Sequence, residues 1–267
     1  MLIPSSIVMP HGSGRNTSPL SQVSGVQALF DLDATLSSSY SGAGTNWANL
    51  IASPDDGSGQ SAYDFTLKVS PTFTGSPGNA AAYWGMGGSN YFEIAGGNTT
   101  ALGNIHKTTG GAPVTMIIAL RTPSSIAAVN LLGTEASGGG GTGWSMRLQS
   151  ATALRNVQVI GGASSNTSYT TTFSASTDYL AAIAIDFTGA TVKFAVNARS
   201  FTGVTLTHGT TTAAATHAFQ IGAADTLAIV TGGTRIYGAY GFNKLLTDSQ
   251  LSGVVDVLNS RHGRTYA

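Results

Sequence analysis

Thr234-Arg235-Ile236-Tyr237-Gly238-Ala239-Tyr240-Gly241-Phe242, followed closely by Leu246-Thr247-Asp248-Ser249-Gln250-Leu251, reads as a strand running into a capped helix. In the first piece Ile236, Gly238, Tyr240 and Phe242 alternate with Arg235, Tyr237 and Ala239, the period of two that a half-buried strand needs. In the second, Thr247 can accept from the amide three residues on, and Gln250 can reach back to the amide of Thr247. That is a capping box, and Leu246 and Leu251 take the two positions of a hydrophobic staple. Asp248 suits the positive end of the helix dipole. Leu251, Val254, Val255 and Leu258 recur at i, i+3, i+4 and i+7, so one stripe packs down. Arg261 and His262 suit the negative end and Gly263 supplies a stop, which predicts a helix over about 248–261.

Together with Phe219-Gln220-Ile221-Gly222-Ala223, this stretch resembles the ending of concanavalin A-like (laminin-G-like) jelly-roll domains. Gln250 stands where that family usually has Glu, which keeps the capping chemistry and drops a charge. Near the other end, Tyr40-Ser41-Gly42-Ala43-Gly44-Thr45-Asn46-Trp47-Ala48-Asn49-Leu50 resembles the opening of many such domains in tailed-bacteriophage structural proteins. The family has Asp where this chain has Asn49. Glycines in this phrase permit a tight turn, and Trp47 offers a large apolar anchor. Three interior stretches resemble strands of the same family: Asn90–Ile94, Val114–Arg121 and Val192–Ala198. In the last, Phe194 replaces the usual Tyr and Ala198 the usual Gly. The resemblance covers residues 26–263 and is strongest at its two ends.

Between those ends, Val26, Ala28, Phe30 and Leu32 alternate with Gln27, Leu29, Asp31 and Asp33 as a first strand. Further strands read out at Leu131–Thr134, Gly143–Leu148, Leu154–Ile160, Tyr169–Phe173 and Tyr179–Phe187, separated by Gly, Ser and Thr turns. The glycine runs at 138–141 and 161–162 read as mobile sheet connections. The expected fold is all-β: a two-sheet antiparallel jelly-roll sandwich over residues 26–267 with one C-terminal helix. Residues 1–25, with Pro4, Pro10 and Pro19 and no sustained periodicity, read as an extended arm. Its apolar residues Leu2, Ile3, Ile7, Val8 and Met9 would dock on a neighbouring protein or on the arm's own domain.

Charged residues make up only 9% of the chain and the formal net charge is zero, so nucleic acid is not an expected partner. A neutral Ser/Thr/Asn/Gly surface puts little electrostatic repulsion in the way of homo-oligomer or multicopy assembly. With no cysteine, disulfides, thiolate metal sites and cysteine nucleophiles are excluded. Residues 1–10 are too short, too proline-broken and too poor in basic residues for a signal peptide. No apolar run approaches the ~18 residues of a membrane span, so no membrane partner is expected.

Catalytic patterns are missing. Glycosidases of this fold carry two Glu on one strand face with an Asp between them, whereas this chain has only Glu93 and Glu135, far apart in sequence. Asp31 and Asp33 share a strand face by spacing, with no third group expected beside them. His11, His106, His208, His217 and His262 show no metal-binding spacing, and no G-x-S-x-G elbow or phosphate loop is present. Asp55-Asp56-Gly57-Ser58-Gly59 reads first as ordinary turn chemistry; its hard oxygens make Asp55 and Asp56 only a weak candidate site for Ca2+, without EF-hand spacing. Tyr83, Trp84 and Tyr91, with Asn79 and Asn90 nearby, are the candidate carbohydrate-binding platform, although aromatics on strands more often fill a core or a subunit interface; Trp47 and Trp144 read as core anchors.

The resemblance implies a non-enzymatic virion structural protein of a tailed phage, either a capsid decoration or a tail-associated attachment module. Its partners would be other virion proteins and its place the particle surface. The alternative is a carbohydrate-binding lectin or adhesin that recognises host surface glycans, with a glycoside hydrolase third.

Overall fold

The computed structural model describes residues 19–69, 71–135, 141–223 and 232–267. They form two eight-stranded sheets in which every strand pair is antiparallel. The first sheet runs β14 (Thr202–Thr205), β13 (Thr191–Val196), β12 (Asp178–Asp186), β7 (Val114–Arg121), β16 (Arg235–Phe242), β5 (Tyr83–Gly85), β4 (Thr72–Thr74). Strand β1 (Ala28–Asp33) pairs with the second half of β16, beside β5. The second sheet runs β11 (Ala163–Thr170), β10 (Ala153–Ile160), β9 (Gly143–Gln149), β8 (Val129–Gly133), β15 (Gln220–Ile221), β6 (Tyr91–Ile94), β3 (Phe65–Lys68), β2 (Asn46–Trp47). The expected two-sheet sandwich is therefore observed.

Two apolar layers hold it. Between the sheets sit Phe30, Trp47, Phe65, Trp84, Phe92, Trp144 and Phe194, all fully buried. Outside the first sheet a second layer forms against helices α1 (Pro19–Ser24) and α3 (Asp248–His262). Strand β7 lies between both layers: Val114, Met116, Ile118 and Leu120 face the second sheet, while Ile117 and Ala119 face α3. Burial on two faces is why this strand is apolar at nearly every position.

Helix α3 follows the expected pattern. Both halves of the Thr247–Gln250 capping box form, Leu251, Val254, Val255 and Leu258 are buried, and Gly263 closes the helix in the left-handed conformation at φ 58°. Asn49, in place of the family's Asp, is a buried hub: its Oδ1 accepts from the amides of Asp31 at 2.9 Å and Ile51 at 3.0 Å. Its Nδ2 donates to the Leu29 carbonyl at 3.2 Å, which an aspartate could not do.

Several expectations are corrected. Alternation in β16 breaks at a bulge between Ile236 and Gly238, where Tyr237 has no partner on β7. Tyr237, Tyr240 and Phe242 consequently share the helix side, and Ile236 and Ala239 face the other sheet. Residues 19–24 of the expected arm are helical, with Pro19 at the first helical position, and Leu20 is buried among the α3 contacts of their own domain. Leu2, Ile3, Ile7, Val8 and Met9 lie outside the described residues. Glycines 161 and 162 form the two-residue link of the β10–β11 hairpin, both at positive φ, in register with Ile160 and Ala163. Strand β11 itself, Ala163–Thr170, is mostly polar and extends well before the Tyr169–Phe173 segment expected.

Candidate functional site

The expected aromatic platform does not assemble. Trp84 points into the core, fully buried among Tyr40, Phe73, Trp47 and Phe92. Tyr83, its neighbour on β5, faces the helix side, edge-on to Tyr237 and under the Arg235 guanidinium at 4.5 Å. Tyr91 belongs to the other sheet and alternates outward from buried Phe92 and Ile94. The chain crosses from one sheet to the other over residues 86–90, so residues close in sequence face opposite ways. Asn90 is buried and braces that crossing through Gly87 and Val69, while Asn79 holds a local turn by accepting from Ala81 at 2.8 Å.

The Asp55–Gly59 turn instead forms one wall of a polar cleft of about 480 Å3. Asp56, Gly57 and Ser58 line one side, with Ala62 below; Gly96, Gly97, Asn98, Thr99 and Thr100 line the other. Pairing of β3 with β6 brings these two turns together, since one precedes β3 and the other follows β6. Asp56 accepts from the Ser58 amide at 3.0 Å and from the hydroxyls of Ser58 and Tyr63, and Thr99 donates to the Tyr63 hydroxyl at 3.0 Å. Partial burial raises the Asp56 pKa, but these hydrogen bonds outweigh it and hold the carboxyl below its ordinary value. Thr99 also caps α2 (Thr100–Gly103). Asn98 is tied to the sheet, accepting from the Phe219 amide at 2.6 Å and donating to the His217 carbonyl at 2.7 Å. The cleft is thus preformed, with hydroxyl, amide and carboxylate groups held on two braced turns.

Asp55 lies 3.9 Å from the Lys244 ammonium, and the Asp56 carboxylate is turned to Ser58 and Tyr63. Among the described residues, no three His, Asp or Glu side chains converge as metal ligands.

Asp31 and Asp33 do have flanking groups, contrary to expectation. Arg261 of α3 donates to Asp31 through both terminal nitrogens at 2.9 Å and to Asp33 at 3.2 Å. His262 lies 3.3 Å from Asp33, and its other ring nitrogen is 2.7 Å from the Tyr266 hydroxyl. Burial alone would raise the Asp33 pKa; the charges of His262 and Arg261 reverse this and hold it well below the usual carboxylate range. This cluster is closed to solvent, so it fastens α3 to the sheet and offers no surface to a ligand.

The face of the second sheet turned away from the first carries polar and apolar residues, and Ser145, Val157 and Gln220 on it are buried. Register places Thr66, Glu93, Gln220, Gly133, Ser145, Val157 and Asn166 in one row across it. Glu93 pairs with Lys68 at 3.1 Å and accepts from Gln220 at 3.0 Å, and Ser145 donates to Glu135. Neither the cleft residue Asn98 nor this row could be found from local motifs, because each is assembled by strand pairing between distant segments.

No family model matches the chain, and no curated protein matches it. Solved structures do. Trypanosoma rangeli sialidase is similar at 13% identity over 90% of this chain and 34% of that one, with a TM-score of 0.54. The binding domain of botulinum neurotoxin DC, in complex with SialylT, is similar at 10% identity over 88% and 52%, TM-score 0.56. A botulinum neurotoxin type C structure, reported with cell entry dependent on two ganglioside molecules, is similar at 8% identity over 91% and 53%, TM-score 0.59. The chain spans 34% of the sialidase and about half of each toxin structure. At these identities the likeness bears on the fold alone, a two-sheet β-sandwich.

Proposed function

We propose that this sandwich is a non-catalytic glycan-binding module whose site is the cleft between residues 56–58 and 96–100. The observation that carries this reading is the lining: a carboxylate, an amide, three hydroxyls and three glycines on braced turns, beside the small apolar Ala62. Sugars present hydroxyls in fixed directions, and preorganised donors and acceptors match them at little entropic cost. The fold neighbours described with SialylT and gangliosides support the same class of ligand. Both glutamates are engaged by neighbours, Glu93 by Lys68 and Gln220 and Glu135 by Ser145, which supports binding rather than hydrolysis.

The test is binding of the purified protein to host cells and their extracted surface polysaccharide, with Thr100→Trp alongside. Thr100 is exposed on the cleft wall, so a bulky ring there fills the cleft without entering the core. Saturable binding lost in Thr100→Trp, at unchanged melting temperature, is expected. No binding by wild type, even in multivalent display, would overturn the reading. It would leave the second one, a decoration or attachment module on a tailed-phage particle, which rests on the resemblance carried by Tyr40–Leu50.

A further inference from the structure

Arg147 and Arg155 stand directly opposite each other on β9 and β10. Their neighbours Met146, Leu148 and Leu154 fill the layer between the sheets, so both arginines project from the outer face. The same rung continues to Asn130 on β8 and Ser168 on β11. Like charges directly across a strand pair repel. Elsewhere among the described residues each guanidinium has a partner: Arg121 and Arg264 pair with Asp178, Arg199 with Asp256, Arg261 with Asp31 and Asp33, and Arg235 lies over Tyr83. Arg147 and Arg155 form no ion pair with any described carboxylate. Arg155 Nε donates to Ser168 at 3.1 Å, while Arg147 Nε is buried without a hydrogen-bond partner. Beside the rung, Ser145 donates to Glu135 and lies 3.3 Å from Asn130 Oδ1.

We propose that this rung recognises a carboxylate carried on an acidic sugar. Two adjacent guanidiniums supply fork-shaped donors matched to a carboxylate, and a bound anion relieves their repulsion. Ser168 extends the rung with an exposed hydroxyl, and Asn130 closes its other end as a buried residue. That a saccharide bears the carboxylate rests on the glycan-binding reading; the preference for an anion rests on the arginines alone. The site is separate from the cleft, which lies on the turns flanking β3 and β6.

The experiment titrates oligosaccharides of polygalacturonate, alginate and hyaluronate, each beside its carboxyl-reduced form. The proteins are wild type, Arg147→Gln, Arg155→Gln, the double Gln variant and the double Lys variant. At least one acidic oligosaccharide should bind wild type tenfold or more tightly than its reduced form. Each Gln variant should lose at least tenfold, the double should lose the preference, and the Lys pair should restore part of it. Wild-type arginine Nε–H resonances should shift with the acidic form, a readout independent of any variant's folding. Equal binding of acid and reduced forms, a preference that survives in the double Gln variant, or no binding of any acidic oligosaccharide would overturn the proposal. Neutral glycan binding blocked by Thr100→Trp, with no acid preference, would sink the arginine site and leave the cleft reading. An acid preference indifferent to Thr100→Trp, with neutral glycans ignored, would do the reverse.

Discussion

Arg261 holds a full positive charge where water scarcely reaches, with its side chain 4% exposed and both facing carboxylates fully buried. Removing the guanidinium takes the two-nitrogen partner from buried Asp31 and one of its two cationic neighbours from buried Asp33. Breaking one side of a buried pair costs about 3–5 kcal/mol. Arg261→Ala is therefore expected to lower unfolding free energy by about that amount, read from the denaturant midpoint at constant slope. A loss under about 1 kcal/mol, the range of a surface pair, would refute the latch. In sequence, Arg261 and His262 are legible as dipole partners at a helix end. Their meeting with Asp31 and Asp33 is not, because more than two hundred residues separate the partners.

Strand β16 shows what an element can hide. Its bulge turns Tyr237 and Tyr240 to one face, so Tyr240 reaches both Asp33 and His262 at 3.1 Å. One unpaired residue leaves composition and apolar count unchanged, and a period of two cannot register it. Gly241 matters on the opposite face, where an added Cβ would fall onto the Phe30 ring. Gly241→Ala is expected to destabilise by about 1–3 kcal/mol, as overpacking does. Gly203→Ala, on exposed edge strand β14 with nothing near its Cβ, is the control and should stay within about 0.5 kcal/mol. Equal thermal melts for the two variants would count against close packing at Phe30.

For the molecule as a whole, pH should act through buried groups. Burial, chiefly, pushes the His106 pKa down to about 4, while its ring reaches the Ala213 carbonyl at 3.0 Å. The unfolded chain takes up this proton near pH 6.5 and the folded one only near 4. Stability therefore falls as pH drops through that window, by at most roughly 3 kcal/mol. Asp33 adds a lower limb: its pKa is depressed in the fold, so its stabilisation is present above the unfolded value near ~3.9 and is lost below it. Urea unfolding of wild type and His106→Gln from about pH 7.5 down to about pH 2 checks this. The variant should lose the upper limb and keep the lower, and identical slopes would exclude His106 as the cause.

Local chemistry was legible where neighbours in sequence are neighbours in space. The capping box, the buried stripe of α3 and the strand periodicities of β7, β12 and β13 all belong to short-range geometry, and with the resemblance they decided the class of fold. What side chains face was decided only in three dimensions. Trp84 was as good a platform as Tyr83 until the second sheet covered its face. Asp56 and Asn98 became one cleft, and Arg147 and Arg155 one rung, only when hydrogen-bonded strands brought them together. A chain determines its periodicities residue by residue; which face is inside depends on what packs against it, and that is a property of the assembled sandwich.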